Sequence, residues 1–328
     1  MYIIWLKKKG FSVKIALHNG DKLSTFPNLA LMKLSSYHKG KGDEVEWFSP
    51  FKRYCYDKIY SSKVFSFSPP DLYLPDKTEK GGYGYGLFNE LSLNVEHICP
   101  DYSLYNIDYS MGFLTRGCFR NCVWCIVPKK EGNLRENAEL EEFVVHKKVV
   151  FMDNNVLGCE HGLKQIEKIG KLGLQVDFNQ GLDARLIDKN VAKLLGKVSW
   201  LKPARLSCDT KDQMLWVAKA VSLLRFYNVS PKIYFCYVLV TDDINDALER
   251  VEFLRYIKVD PFAQPFSKDG KLSREQKDFS RWVNHKAIFT STSWKEYGKD
   301  FLAKRKSRIL KGFWSDKNKF LQIGDSDD

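Results

Sequence analysis

A regular alternation of short apolar runs and amphipathic stretches constrains this chain more than any other feature. From residue 111 it reads "MGFLTRG", then "KKVVFMDNN" with helical spacing at 160–172, then "LQVDFNQG" with a helix near 188–196. "PARLSCDT" follows, with a helix at about 211–227, then "KIYFCYVLV" with the helix "DINDALERVEFLRYI", and last "VDPFAQPF". Continuous apolar runs of this length suit strands buried on both faces, which is the habit of parallel sheets. Six strand–helix units in succession predict a partial (β/α)6 barrel. In such barrels the working residues gather at the C-terminal ends of the strands.

That rule turns scattered polar residues into a set. Just past the six strands stand Arg116 and Cys118; Asp153, Asn154 and Asn155; Asn179, Gln180 and Asp183; Ser207 and Asp209; Thr241 and Asp242; and Gln264. Taken singly, any of them suits an ordinary turn or helix cap.

The first hundred residues carry a second α/β pattern. "VKIALHN" reads as a buried strand, and the stretch from Asn28 to the glycine-rich turn near Gly42 as a helix. A strand through Val45, Trp47 and Phe48 comes next, then another in "YDKIYSSKVFSFSP". This order predicts an open parallel sheet. The string "GGYGYG", residues 81–86, lacks the G-x-G-x-x-G spacing of a dinucleotide loop and does not visibly follow a strand. A flexible or close-approach loop is expected there. The start, "MYIIWLKKKG", has its lysines after the apolar patch rather than before it, so a first strand is expected and a secretory leader is not. No apolar run approaches the ~20 residues of a membrane span, and a cytoplasmic protein is expected.

Eight cysteines in such a chain do not read as a disulfide framework. Cys208 and Cys236 lie in strand-like runs and are expected to be small buried hydrophobes. Cys118, Cys122 and Cys125 differ: they fall within eight residues, spaced Cys-x3-Cys-x2-Cys. Structural zinc wants four ligands, usually as two pairs, and no second pair is present. Iron–sulfur clusters take thiolates, and a cubane needs four, so three cysteines leave one iron open.

The stretch "CFRNCVWC", with Trp124 in the aromatic place and a strand before it, resembles the signature of the radical S-adenosylmethionine (SAM) superfamily. The resemblance implies a TIM-like partial barrel and a [4Fe–4S] cluster on the three cysteines, with SAM as ligand of the open iron. It implies reductive cleavage of SAM to a 5′-deoxyadenosyl radical, which abstracts hydrogen from a substrate, and a flavodoxin- or ferredoxin-like electron donor. By position it assigns Asp153, Asn154 and Asn155 to the SAM amino group, in place of the Gly-Gly-Glu of many members. Ser207 and Asp209 fall to the ribose and carboxylate, and Gln264 lies where adenine packs. Asn179, Gln180, Asp183 and Arg185 are expected to face substrate.

Domain order resembles the class with a Rossmann-like, cobalamin-binding-type front domain. The expected division is 1–107 for that domain, 108–270 for the radical SAM barrel and 271–328 for a basic extension. The lower-ligand Asp-x-His-x-x-Gly motif is absent: His18 and His38 are followed by Asn-Gly and Lys-Gly. Cobalamin is therefore not favoured, although some binders in the class lack the motif. The further cluster cysteines of a methylthiotransferase are also missing, since only Cys55 and Cys99 precede the motif. Alternatives to the lead reading are a cobalamin-dependent methyltransferase, an RNA-modifying, methylthiotransferase-like enzyme, and a non-enzymatic metal module that binds nucleic acid. The last two draw on charge. The chain carries 52 Lys and Arg against 40 Asp and Glu, and half of the +12 excess lies in residues 295–320. Lys304, Arg305, Lys306, Arg308 and Lys311 make a basic stripe that suits either a polyanionic partner or a solvated face.

Overall fold

The computed structural model describes residues 12–21, 24–229 and 234–298. The expected N-terminal strand in "MYIIWLKKKG" and the basic stripe from Lys304 to Lys311 lie outside them. The chain divides into two compact units between Ala204 and Arg205, with residues 223–231 counted with the first unit. The expected boundary at 107/108 lies inside the first unit. Both units are α/β and their main sheets are parallel.

In the first unit, β1 (Lys14–Asn19), α1 (Leu29–Lys41), β2 (Glu44–Trp47), β3 (Lys58–Ser62) and β4 (Glu79–Gly81) form a parallel sheet of order β2-β1-β3-β4. Ile15, Ala16 and Leu17 are almost wholly buried, as a central strand covered on both faces requires. Asn28 caps α1 by accepting from Leu31 N at 3.3 Å, and Gly42 ends it with φ 87°. Ile15 and Leu17 pack with Leu31, Leu34 and Val95, the last on the short helix α2 (Leu93–Glu96).

The order places a switch point between β1 and β3, where crevices in open sheets form. His18 on β1 pairs in register with Ser61 on β3. Its ring Nδ1 lies 2.8 Å from Ser61 Oγ and its Nε2 2.6 Å from Asp71 Oδ2, and Ser61 Oγ meets Tyr85 OH at 2.6 Å. The glycine-rich string does follow a strand: Gly81 ends β4. That strand escaped the sequence reading because "EKG" has no apolar pattern. A Cβ at Gly82, whose φ is 98°, would stand 2.4 Å from Lys63 O, so this is a close-approach loop.

The second sheet of the same unit has order β10-β9-β8-β5 and is also parallel: β5 (Ser110–Gly112), β8 (Lys148–Phe151), β9 (Gln175–Phe178) and β10 (Ser199–Trp200). Between β5 and β8 lie β6 (Thr115–Arg116), α3 (Val127–Glu131) and β7 (Arg135–Glu136). The helices α4 (Glu160–Leu172) and α5 (Lys189–Leu195) follow β8 and β9. Asp188 caps α5, accepting from Val191 N at 2.8 Å. Met32, Tyr102, Met111 and Met152 form a buried cluster from α1 to the second sheet.

The second unit holds β11 (Arg205–Ser207), α6 (Gln213–Phe226, up to Ser222), β12 (Phe235–Val240), α7 (Ile244–Tyr256), β13 (Asp260–Pro265), α8 (Arg274–Asn284) and α9 (Lys286–Ser291), with sheet order β11-β12-β13. Arg250 is wholly buried and donates to Cys208 O at 2.7 Å and Leu239 O at 2.9 Å, with Asp246 as its counter-ion. Asn284 exchanges two hydrogen bonds with Ala263 and so closes the edge of β13. Cys208 and Cys236 are buried as expected; burial pushes the Cys208 thiol up to about 12 and the Cys236 thiol well above the usual range. Among the described residues, no helix is long and apolar enough to cross a membrane.

Candidate functional site

The cysteine loop hangs from the C-terminal end of β5. The strand expected in "MGFLTRG" breaks after Gly112, and Thr115 and Arg116 pair antiparallel with Glu136 and Arg135 instead. This two-residue ribbon was not legible in sequence. It closes residues 117–134 into a loop with a narrow neck. Gly117 sits at that neck with φ 77°, where a Cβ would meet Asn133 O at 2.2 Å, so only glycine fits.

Inside the loop the backbone holds itself. Cys118 N donates to Gly132 O at 3.2 Å, Cys122 N to Arg120 O at 2.9 Å and Cys125 N to Cys122 O at 3.0 Å. Cys118 and Cys122 are half-buried, Cys125 is exposed and Trp124 is half-buried. Phe119, Val123 and Ile126 are exposed, so the loop presents apolar side chains around its thiols. Glu131, which sequence reasoning missed, fastens the neck. Its carboxylate accepts from Gly117 N at 3.1 Å and from Asn154 Nδ2 at 2.9 Å.

The end of β8 comes next to this loop. Asp153 Oδ1 accepts from Thr115 N at 2.5 Å and from Thr115 Oγ1 at 2.8 Å, while its Oδ2 is buried with no hydrogen-bond partner. Burial pushes its carboxyl up to about 6, against the Thr115 bonds that pull it down. Asn155 is 3% exposed; its Nδ2 donates to Cys118 Sγ at 3.5 Å and its Oδ1 is likewise buried without a partner. Buried acceptors left unpaired are uncommon, and each calls for an explanation.

At the end of β9, Asn179 is half-buried, Gln180 is exposed, and Asp183 and Arg185 are held by one another. Arg120, from within the cysteine loop, reaches Asp183 as well, Nε to Oδ2 at 2.8 Å.

Ser207, Asp209 and Gln264 belong to the second unit. Ser207 ends β11 half-buried, and Gln264 is exposed on β13 opposite Leu239. Asp209 Oδ1 accepts from Leu239 N at 3.1 Å, and its own N–H donates to Gln213 Oε1 at 2.7 Å. Thr241 Oγ1 accepts from Asp243 N at 3.4 Å, in the turn that opens α7.

The residues present fit an iron–sulfur cluster with a cationic ligand beside it. The three thiols share one loop, and two N–H donors, Arg120 N at 3.4 Å and Asn155 Nδ2, point at the Cys118 sulfur. Hydrogen bonds of this kind stabilise thiolate ligands. The two orphaned acceptors, Asp153 Oδ2 and Asn155 Oδ1, can receive an ammonium group. Among the described residues no three His, Cys, Asp or Glu converge on one ion position.

No protein-family model and no curated protein matches this chain. Among solved structures it is similar to the cobalamin-dependent S-adenosylmethionine radical enzyme OxsB with aqua-cobalamin bound. The identity is 11%, covering 91% of this chain and 62% of that one, with a TM-score of 0.54. It also matches Streptococcus suis SuiB at 15% identity, covering 57% of this chain and 48% of that one, TM-score 0.39. SuiB bound to S-adenosylmethionine matches at 16%, 61% and 45%, TM-score 0.35. The chain thus spans between 45% and 62% of the length of these structures. The likeness to OxsB shows a shared fold.

Proposed function

We propose that this chain is a radical SAM enzyme, with Cys118, Cys122 and Cys125 as the protein ligands of a [4Fe–4S] cluster. One observation carries the reading: the three-thiol loop lies against two buried, unpaired acceptors, Asp153 Oδ2 and Asn155 Oδ1. When bound, the cluster and SAM at its open iron supply one-electron cleavage of SAM and a 5′-deoxyadenosyl radical for hydrogen abstraction. The protein's part is to hold and to shield. Cys118, Cys122 and Cys125 would hold the cluster through their thiolates. Asn155 donates to Cys118 and keeps its buried carbonyl oxygen free to accept. Asp153, fixed by Thr115, adds a carboxylate oxygen for the ammonium of SAM. The fold shared with OxsB, itself a cobalamin-dependent S-adenosylmethionine radical enzyme, supports the reading.

On this reading residues 1–107 are a Rossmann-like front domain, 108–270 carry the radical chemistry and 271–328 are an extension. Electrons come from a flavodoxin- or ferredoxin-like donor. The basic stripe around Lys304–Lys311 suits a nucleic-acid substrate, whose binding weakens steeply with salt. Anisotropy titrations against tRNA and single-stranded DNA at two salt concentrations test that part.

A second reading adds cobalamin, as the aqua-cobalamin of OxsB supports. Against it, the edge histidine His18 is already engaged by Ser61 and Asp71. Stoichiometric cobalamin surviving gel filtration decides for the second reading; its loss decides for the first. The main reading is tested by anaerobic reconstitution, which should load about four iron per chain, followed by reduction in the presence of SAM and detection of 5′-deoxyadenosine.

A further inference from the structure

Three charged residues at the cysteine loop have no place in the chemistry above. Arg120 stands between Cys118 and Cys122, and its backbone N–H donates to Cys118 Sγ at 3.4 Å. Its guanidinium leaves the loop and binds Asp183 at 2.8 Å. Arg185, two residues after Asp183, closes on the same carboxylate with Nε at 2.7 Å and Nη2 at 3.1 Å. Both carboxylate oxygens are therefore taken, and Asp183 cannot turn to a substrate without releasing an arginine. The Asp183 side chain is 8% exposed, against 29% for Arg120 and 28% for Arg185. Burial alone would raise its carboxyl, but the two guanidiniums outweigh that and hold it below the usual range. Burial opposes the charge of Arg185 in turn, and the Asp183 carboxylate outweighs it and holds the guanidinium charged. Two cations and one anion leave a net single positive charge, tied through Arg120 to the loop that carries Cys118.

We propose that Asp183 is a positioning residue that latches Arg120 and Arg185 against the cysteine loop, and that the latch's residual positive charge raises the reduction potential of the cluster bound there. This rests on the radical SAM reading of the same loop. The sign follows from Coulomb's law. One-electron reduction adds negative charge to the cluster, and a fixed cation near it stabilises the reduced form most in a partly buried site. Removing Arg185 lowers the net charge of the latch from +1 to 0, and removing the Asp183 charge raises it to +2. A latch with a merely mechanical role would not give shifts of opposite sign.

The test is a redox titration of the SAM-free, reconstituted protein, followed by the paramagnetic signal of the reduced cluster, with iron content measured alongside. The expected order of potentials is Asp183→Asn above the parent, the parent equal to Arg185→Lys, and Arg185→Gln below. Arg185→Lys keeps the charge and guards against a trivial loss of packing. Equal potentials in all four proteins, or shifts of the same sign in Asp183→Asn and Arg185→Gln, overturn the proposal while leaving the radical SAM reading intact. Failure of the parent itself to assemble a cluster overturns that reading, and the latch's redox role falls with it.

Discussion

The first unit contains two parallel sheets, and their C-terminal edges are built on opposite plans. At the edge of β1 and β3 the polar groups satisfy one another. Asp71, His18, Ser61 and Tyr85 form a continuous chain, and Asp21 accepts from Val64 N at 2.6 Å, Phe65 N at 3.1 Å and Ser68 Oγ at 2.7 Å. At the edge of β5 and β8, Asp153 and Asn155 each keep one buried oxygen unpaired beside a loop of thiols. A buried polar group without a partner costs ~1–3 kcal/mol, so a fold keeps one where something else repays it. The two edges differ in what they leave open: the first spends its polar groups on one another, and the second keeps two buried acceptors, Asp153 Oδ2 and Asn155 Oδ1.

Substitutions can break that contrast, and the largest effect should come from the thiols. Cys118→Ala, Cys122→Ala and Cys125→Ala should each abolish cluster absorption and SAM cleavage, whereas Cys236→Ala should keep both. Iron analysis and visible spectra check this, and a full cluster in Cys122→Ala would remove the site's basis.

Asn155→Ala comes second. It deletes an acceptor for a charged group worth about 1.5–3 kcal/mol, which is roughly 10- to 150-fold in SAM affinity. The cluster should still assemble. Equilibrium binding on the reconstituted protein measures the shift; unchanged affinity would separate Asn155 from SAM.

Ser61→Ala tests the other edge. It removes the hydroxyl that bridges His18 and Tyr85 and should cost about 1–3 kcal/mol of stability. Denaturant unfolding reads the loss, and iron content should stay at the parental level. A loss of cluster in this variant would blur the distinction between the two edges.

The smallest effect concerns pH. The Asp153 carboxyl is raised to about 6 by burial, above its unfolded value near 3.8. Folding therefore favours its protonated form. That contribution to the ligand-free protein is complete below the unfolded value and is lost as pH rises through about 6. Asp153→Asn should flatten the decline in stability between about pH 4 and pH 6. Unfolding midpoints across that range check it; an unaltered slope would place the titration elsewhere.

The sequence made the long elements legible and the short ones not. Strands such as β12, with the neighbours Val238 and Leu239 both buried, announce themselves by apolar composition, because both faces are covered there. Elements of two or three residues, such as Ser199–Trp200 and the Thr115–Arg116 ribbon, exist only because a neighbouring strand pairs with them, and pairing leaves no local signature. The three cysteines stood out by their spacing, Cys-x3-Cys-x2-Cys, and the structure holds them in one backbone-bonded loop. Asn155 was placed by position, but its bond to Cys118 Sγ depends on how the β8 turn folds back. Asp183 was expected to face substrate, and its carboxylate is held by two arginines, one of them 63 residues away. Glu131 and Arg250 gave no signal at all, since a buried charge reveals itself only through its partners.

The central claim is that the thiol loop and its two unpaired acceptors together hold a cluster and SAM. Its most direct test is the yield of 5′-deoxyadenosine from anaerobically reconstituted, chemically reduced protein supplied with SAM. The account predicts 5′-deoxyadenosine from the parent, much less from Asn155→Ala at limiting SAM, and none from Cys122→Ala. A parent protein that carries its full complement of iron, is reduced and still releases no 5′-deoxyadenosine would contradict it.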